Sequence, residues 1–486
     1  MAEKEFLVSN YGAVGDGITN DGYAVARALA AAAADPAQEK ALVFECAKTY
    51  RITAVPPENR GGCLFDLDGA FGLRIHGKGA KLLLKGTIRV LMATGCRDIG
   101  MDGFIIDYSP RPFILSRLIA ADKAGGTADF EAEEDIGQKE SYFLAPDPYF
   151  LFPNRRDGRY HFFIDSIRLL GEKRYRVEIK ENSRWRMEMM TQGEEYLLPL
   201  HGGSHLVGAA CTIMDSDGFR LANLRFYSHP EFGFDIRNNR GNMLFEGISL
   251  WPRDGDREQL VSWRDGFHIK DNTEPIVWDN CRIGPLGDDA FNLSCVYLEV
   301  VASDGRTVRA LPAEKGRTRA LLPGDEFVAY DLATGRLIGE GRAAEVPESR
   351  DEVVFRSDRE LPGLRPGMQV AFYRFANPGF VVKNSYIEGT VRVRSSGSFE
   401  NCRFNVFWVR VENEYFVEGP IPKDVTFRNC IFTTPYEKDA EIFHVGTMGL
   451  NGLADCAYKC RNIRLENCVF EKGVWGAEPG NELIVE

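Results

Sequence analysis

Three aspartates are spaced so that their carboxylates could act on one bond. Asp265 opens the pair Asp265-Gly266, and Asp288 and Asp289 end the run Gly287-Asp288-Asp289. Each motif leads into a short alternation of apolar and polar residues, Phe267-His268-Ile269 and Phe291-Asn292-Leu293, which is the period of a half-buried strand. Phe267 and Phe291 lie 24 positions apart (291 − 267). If that interval is one coil of a parallel solenoid, the two strands stack about 4.8 Å apart and the carboxylates meet. In register, Asp265 and Asp289 become stacked neighbours, with Asp288 one place further back. Carboxylates so close raise one another's proton affinity. A polar turn, a Ca²⁺ site and acid–base work on a glycosidic bond all fit such a patch, and we favour the last.

The strands that follow extend the pattern. The triplets Phe234-Asp-Ile236, Phe267-His-Ile269, Phe291-Asn-Leu293, Val391-Arg-Val393, Val409-Arg-Val411 and Phe443-His-Val445 share one alternation. Their outer members face a core, so Asp235, His268, Asn292, Arg392, Arg410 and His444 form an outward polar column. Such a column is either plainly solvated or suited to hydroxyl recognition. We take Asp235, His268, Asn292, Lys270, Arg392, Arg394 and Trp263 as substrate-binding candidates. His268 and Trp263 read equally as core residues, as does Trp408, a further possible platform for a sugar face.

A repeat with asparagine in its fourth place must position these residues. It recurs at Asn223, Asn280, Asn384, Asn401, Asn429 and Asn467, with glycine instead at Gly103 and Gly247. Stacked turns in which each asparagine bonds backbone or its neighbour explain it. Two intervals are too long for one coil, so each must hold an inserted module. The expected division is 1–109, cap and first coils; 110–199, a β-rich excursion; 200–296, catalytic coils; 297–373, a small antiparallel β-module with turns at Pro323-Gly324-Asp325 and Ala333-Thr334-Gly335; and 374–486, C-terminal coils. Gly12, Gly15 and Gly17 lack the spacing of a phosphate loop. Instead, Asn20 or Asp21 can N-cap a helix that ends near Asp35-Pro36 and covers an open end of the β-structure, with strands starting at Leu42 and Tyr50. The fold class is therefore all-β: a parallel β-helix with an N-terminal capping helix and inserted β-rich modules.

Composition narrows the partners. A net charge of −12 with no basic run speaks against nucleic acid, and no apolar run approaches the roughly 20 residues a membrane helix needs. Met1-Ala2-Glu3-Lys4-Glu5 leads into no signal-type apolar run. That reads as cytoplasmic, or as secreted or periplasmic where a signal has been removed. Of eleven cysteines, Cys281, Cys402, Cys430 and Cys468 share one position of the repeat, where buried reduced thiols pack as small hydrophobes. Cys456 and Cys460 have no second pair, so no zinc is expected.

The stretch Asn10 to Asp21 resembles the cap of right-handed parallel β-helix enzymes of pectin-lyase fold. Asp265-Gly266-x-His268 with Gly287-Asp288-Asp289-Ala290-x-Asn292, followed by the inserted module, resembles family 110 glycoside hydrolases, inverting α-1,3-galactosidases, and more distantly polygalacturonases. The resemblance implies a single displacement with inversion, with Asp288 as the acid and Asp265 and Asp289 activating water. A long separation between Asp288 and the other two is then expected. It also implies an oligosaccharide or glycoside substrate, no cofactor and no metal. We expect exo action, with the excursions closing one end of a groove; a homo-oligomer is left open. Two rivals share the fold: a lyase or epimerase using Lys270 and Arg394 as bases, and a non-catalytic glycan-binding solenoid.

Overall fold

A computed structural model describes residues 3–136, 149–155, 161–199, 208–312, 320–331, 333–334, 336–349, 352–414, 418–448 and 459–486. Gly335 and Cys456 lie outside these, as do parts of the 110–199 segment. The chain is a right-handed parallel β-helix, the hand that parallel crossovers almost always take. Among the described residues its main sheet joins 30 strands, and successive coils pair in parallel from Lys4–Leu7 to Leu483–Val485. The first strand begins earlier than the sequence predicts, because Phe6-Leu7 alone is too short an apolar signal to read. The helix Gly22–Ala34 buries Ala24, Val25, Ala28, Leu29 and Ala32 against the first coil. Asp21 precedes it but does not cap it through its side chain. Its carboxylate instead accepts the N–H groups of Val14 and Gly15, fastening the glycine loop.

Inside the coils, identical positions stack. The rings of Phe234, Phe267 and Phe291 lie 4.6 and 5.2 Å apart and nearly parallel, and Trp278 packs edge-on to Phe267 and Phe291. At the turn, Asn223, Asn280, Asn384, Asn401, Asn429 and Asn467 all have φ near +50°, and Gly103 and Gly247 share that left-handed conformation. Asparagine and glycine alternate there because they tolerate it best. Asn429 donates to Asn401 at 3.2 Å and Asn401 to Asn384 at 3.4 Å, so the ladder also bonds side chain to side chain. Next in each repeat, Cys281, Cys402 and Cys430 are buried free thiols, and Cys468 is half-buried.

Both insertions close into six-stranded antiparallel barrels among the described residues. The first runs from Phe113–Asp122 to Glu195–Pro199, the second from Leu298–Ser303 to Gln369–Phe372. The first packs Phe113, Leu115, Phe152 and Leu197 on Leu260 and Trp263, in the chain entering the Asp265 strand. The second grows from the far end of the Asp289–Val296 strand. The barrels thus flank the two edges of the site-bearing sheet; the sequence expectation had them closing one end of a groove.

Candidate active site

The strands Phe234–Arg237, Phe267–Lys270, Asp289–Val296, Tyr386–Val393, Arg403–Glu414 and Glu441–Met448 lie side by side. Their register aligns Asp235, His268, Asn292, Arg392, Arg410 and His444 in one outward row. Asp265 stacks on Asp289 one step earlier, where the Gly266 N–H donates to the Asp289 carbonyl at 2.8 Å. Gly266 is obligatory for this approach, since a Cβ there would stand 2.9 Å from the Ala290 carbonyl oxygen. Against Tyr386–Val393 the register shifts between Asp289 and Phe291, leaving Ala290 as the extra residue of a bulge. Bulges re-aim neighbouring side chains. Here the bulge lets two consecutive aspartates reach one place.

One carboxylate oxygen from each of Asp265, Asp288 and Asp289 lies within 4.8 Å of the others. These nearest oxygens are closer than the long separation expected for Asp288, the carboxyl groups of inverting pairs standing about 6.5 to 9.5 Å apart. The reason is local: the Asp289 N–H donates to Asp288 Oδ1 at 3.1 Å and folds that carboxyl back toward the pair. Asp265 and Asp289 are buried, while Asp288 is half-buried. Asp289 is ion-paired with Arg392 at 3.0 Å and accepts a hydrogen bond from the Thr390 hydroxyl. Burial, and then the other two carboxylates, push Asp288 well above the ordinary range. Burial and Asp289 push Asp265 up to about 8. The three therefore hold a proton at neutral pH. His268 Nδ1 lies 2.7 Å from Asp265 Oδ2. Burial, reinforced by Lys270, pushes His268 down to about 3, so the ring is neutral and shares a single hydrogen bond with the Asp265 carboxyl.

The remaining candidates are placed differently. Asp235 bonds Arg237 at 2.6 Å, one strand from His268. Lys270 and Arg394 are buried on the coil surface and both pair with Glu418, which also draws Asn292 at 3.4 Å. They do not face an open groove, because the short strand Glu418–Gly419 returns antiparallel to Cys295-Val296 and covers them. Trp263 is buried at the junction with the first barrel, 5.3 Å from Phe150, and is part of that core, not a platform.

Sequence reasoning missed Glu418, Thr390, Arg264 and the barrel's Phe152. Two cations stacked on one edge were the available signal for a carboxylate such as Glu418. Arg264 directly precedes Asp265, and its guanidinium lies over the rings of Phe232 and Trp263, at 4.7 and 5.5 Å. Phe152 presses on Gly287, where a Cβ would come within 2.6 Å of its ring. The three aspartates are also the one His/Cys/Asp/Glu grouping among the described residues able to share a metal ion. Arg392 already neutralises Asp289, and a hard cation would want six or more oxygens.

No family model matches the chain, and no curated protein does. Among solved structures it is similar to the family 28 exopolygalacturonase of Yersinia enterocolitica, at 12% identity over 100% of this chain and 70% of that one, TM-score 0.40. It is also similar to the A-module of the Azotobacter vinelandii mannuronan C-5 epimerase AlgE4, at 10% identity over 99% and 97%, TM-score 0.32. A third is ORF18 of Geobacillus virus E2, at 10% identity and TM-score 0.34, where 99% of this chain spans only 61% of that protein.

Proposed function

We propose that this β-helix is a glycoside hydrolase whose chemistry is done by Asp265, Asp288 and Asp289. The observation that carries the reading is the cluster itself: three carboxylates within 4.8 Å, of which only Asp288 is half-exposed. A structural protein gains nothing from such mutual repulsion. In the proposed reaction the glycosidic bond breaks as Asp288 gives its proton to the leaving oxygen, and a water held by Asp265 and Asp289 attacks the anomeric carbon and passes its own proton to that carboxylate pair, which returns it to Asp288 through solvent. Thr390 and Arg392 hold the Asp289 carboxylate in place. Arg392, on the polar row beside Asp289, offers hydrogen bonds to sugar hydroxyls. Phe152, Phe232 and Trp263 crowd the entering edge, which favours a chain end or a short oligosaccharide over mid-chain cleavage.

The anomeric outcome needs its own measurement. Resemblance to family 110 implies inversion and an α-galactoside, whereas nearest carboxylate oxygens within 4.8 Å of one another lean toward the shorter separation of retaining enzymes. The lyase reading is weakened by Lys270 and Arg394, which are tied to Glu418 and not poised as bases.

The test is turnover of chromogenic α- and β-glycosides of galactose, galacturonate, fructose and other sugars, with and without a chelator, and a proton NMR spectrum of the first-formed anomer. Release of a free sugar that resists the chelator supports hydrolysis. An ultraviolet-absorbing unsaturated product would replace it with elimination, and tight glycan binding without turnover would replace it with a binding solenoid.

A further inference from the structure

A second bulge lies on the same sheet. Between Tyr386–Val393 and Arg403–Glu414, Gly389 faces Val406 but Thr390 faces Trp408, so Phe407 is the extra residue. Phe407 turns toward Tyr436, their rings 5.8 Å apart. Trp408 takes the outward position in line with Asp289 and Thr390. It is two strands from Asp289, about 9.6 Å at about 4.8 Å per strand, within reach of a second sugar ring. The indole is half-buried, and Arg410 lies over it with its guanidinium carbon 4.5 Å from the ring centroid. Arg410 itself belongs to the row that starts at Asp235. A flat apolar surface bordered by hydrogen-bonding groups matches the two faces of a pyranose. On the opposite side of the aspartates, Phe232 packs on His268, their rings 4.8 Å apart.

We propose that Trp408, presented by this bulge and braced by Arg410, is the stacking platform for a sugar ring on the leaving-group side of the cleaved bond. The assignment rests on the hydrolytic reading for the words leaving group, but not for the platform itself. It makes the enzyme sensitive to substrate length beyond the bond it cuts.

The experiment compares wild type, W408A and W408F on an aryl α-galactoside and on α-galactosyl oligosaccharides of two to five units. W408A should lose kcat/KM progressively with length, by about tenfold more on the longer substrates than on the aryl glycoside, the equivalent of about 1.4 kcal/mol. The loss should appear in KM, and W408F should recover most of it. An equal loss at every length, or none, would overturn the platform. Quenching of tryptophan fluorescence by the five-unit oligosaccharide is the second readout, and W408F should abolish most of it. If wild type cleaves none of these substrates, the α-galactoside specificity fails by itself, and the quench still decides: no quench in wild type, or a signal unchanged in W408F, overturns the platform, and one lost in W408F upholds it.

Discussion

The two edges of the site-bearing sheet treat their buried charges differently. On the entering edge, Asp265, Asp288 and Asp289 outnumber the one arginine paired with them, Arg392. Three to five residues on, Lys270 and Arg394 both pair with Glu418, and the buried Glu412 also acts on Arg394. Both clusters are buried, yet their consequences differ. At the second, Lys270 also donates to Ser294 at 2.6 Å, and Glu418 accepts from both cations. Burial works to raise Glu418, but Lys270 and Arg394 outweigh it and hold it below the carboxylate range. At the first, burial and like charge act together, and a proton is kept where it can be given away. Surplus carboxylate in a sheltered place is thus what separates a site able to do acid chemistry from a fixed structural ion cluster.

Neutralising the surplus should have the largest effect. D265N and D289N are expected to lower turnover by about 10²- to 10⁴-fold on every substrate, with a double mutant little worse than either single one, as for residues acting as one unit. Steady-state kinetics on matched substrates checks this, and additive losses would separate the two roles. At the other cluster, E418Q leaves two buried cations without their carboxylate. That should cost about 3 to 5 kcal/mol of local stability, seen as a lower midpoint in thermal unfolding; an unchanged midpoint would mean the cations are matched elsewhere.

The pH dependence of stability sharpens the contrast. Asp265 in the folded protein titrates at about 8, against about 3.9 unfolded. The folded state therefore keeps a proton that the unfolded chain has lost. That contribution is full below about pH 4 and disappears as pH rises to about 8. Asp288 acts in the same direction. Thermal midpoints should fall between pH 5 and 8, and D265N should flatten the slope; an unaltered slope would contradict the protonation scheme. The smallest effect is expected from T390V, which removes the hydroxyl bonded to Asp289. A roughly tenfold loss of kcat, about 1.4 kcal/mol, would fit orientation of a carboxylate that keeps Arg392.

Much of this was legible in the sequence, for physical reasons that also mark the limit. The asparagine–glycine turn and the Phe-x-Ile triplets report local backbone conformation and alternation, so the coils and the polar row could be aligned to the residue. Asp265 and Asp289 followed from the same register. The approach of Asp288 did not, because it depends on a bulge at Ala290 and on an amide within its own turn. Glu418 was invisible because its partners lie 148 and 24 positions away in the chain and meet it only through an antiparallel return. The insertions announced themselves by interrupting the ladder, whereas their closure into barrels rests on long-range antiparallel pairing.

The most direct test is D288N on two substrates that differ only in leaving group, an aryl glycoside and the matching disaccharide. If Asp288 is the acid, disaccharide cleavage should fall by about 10³-fold or more, while the aryl glycoside, whose leaving group needs little protonation, should lose far less. Equal retention of activity on both, in a folded protein, would contradict the assignment and leave the three aspartates as an ordinary polar turn.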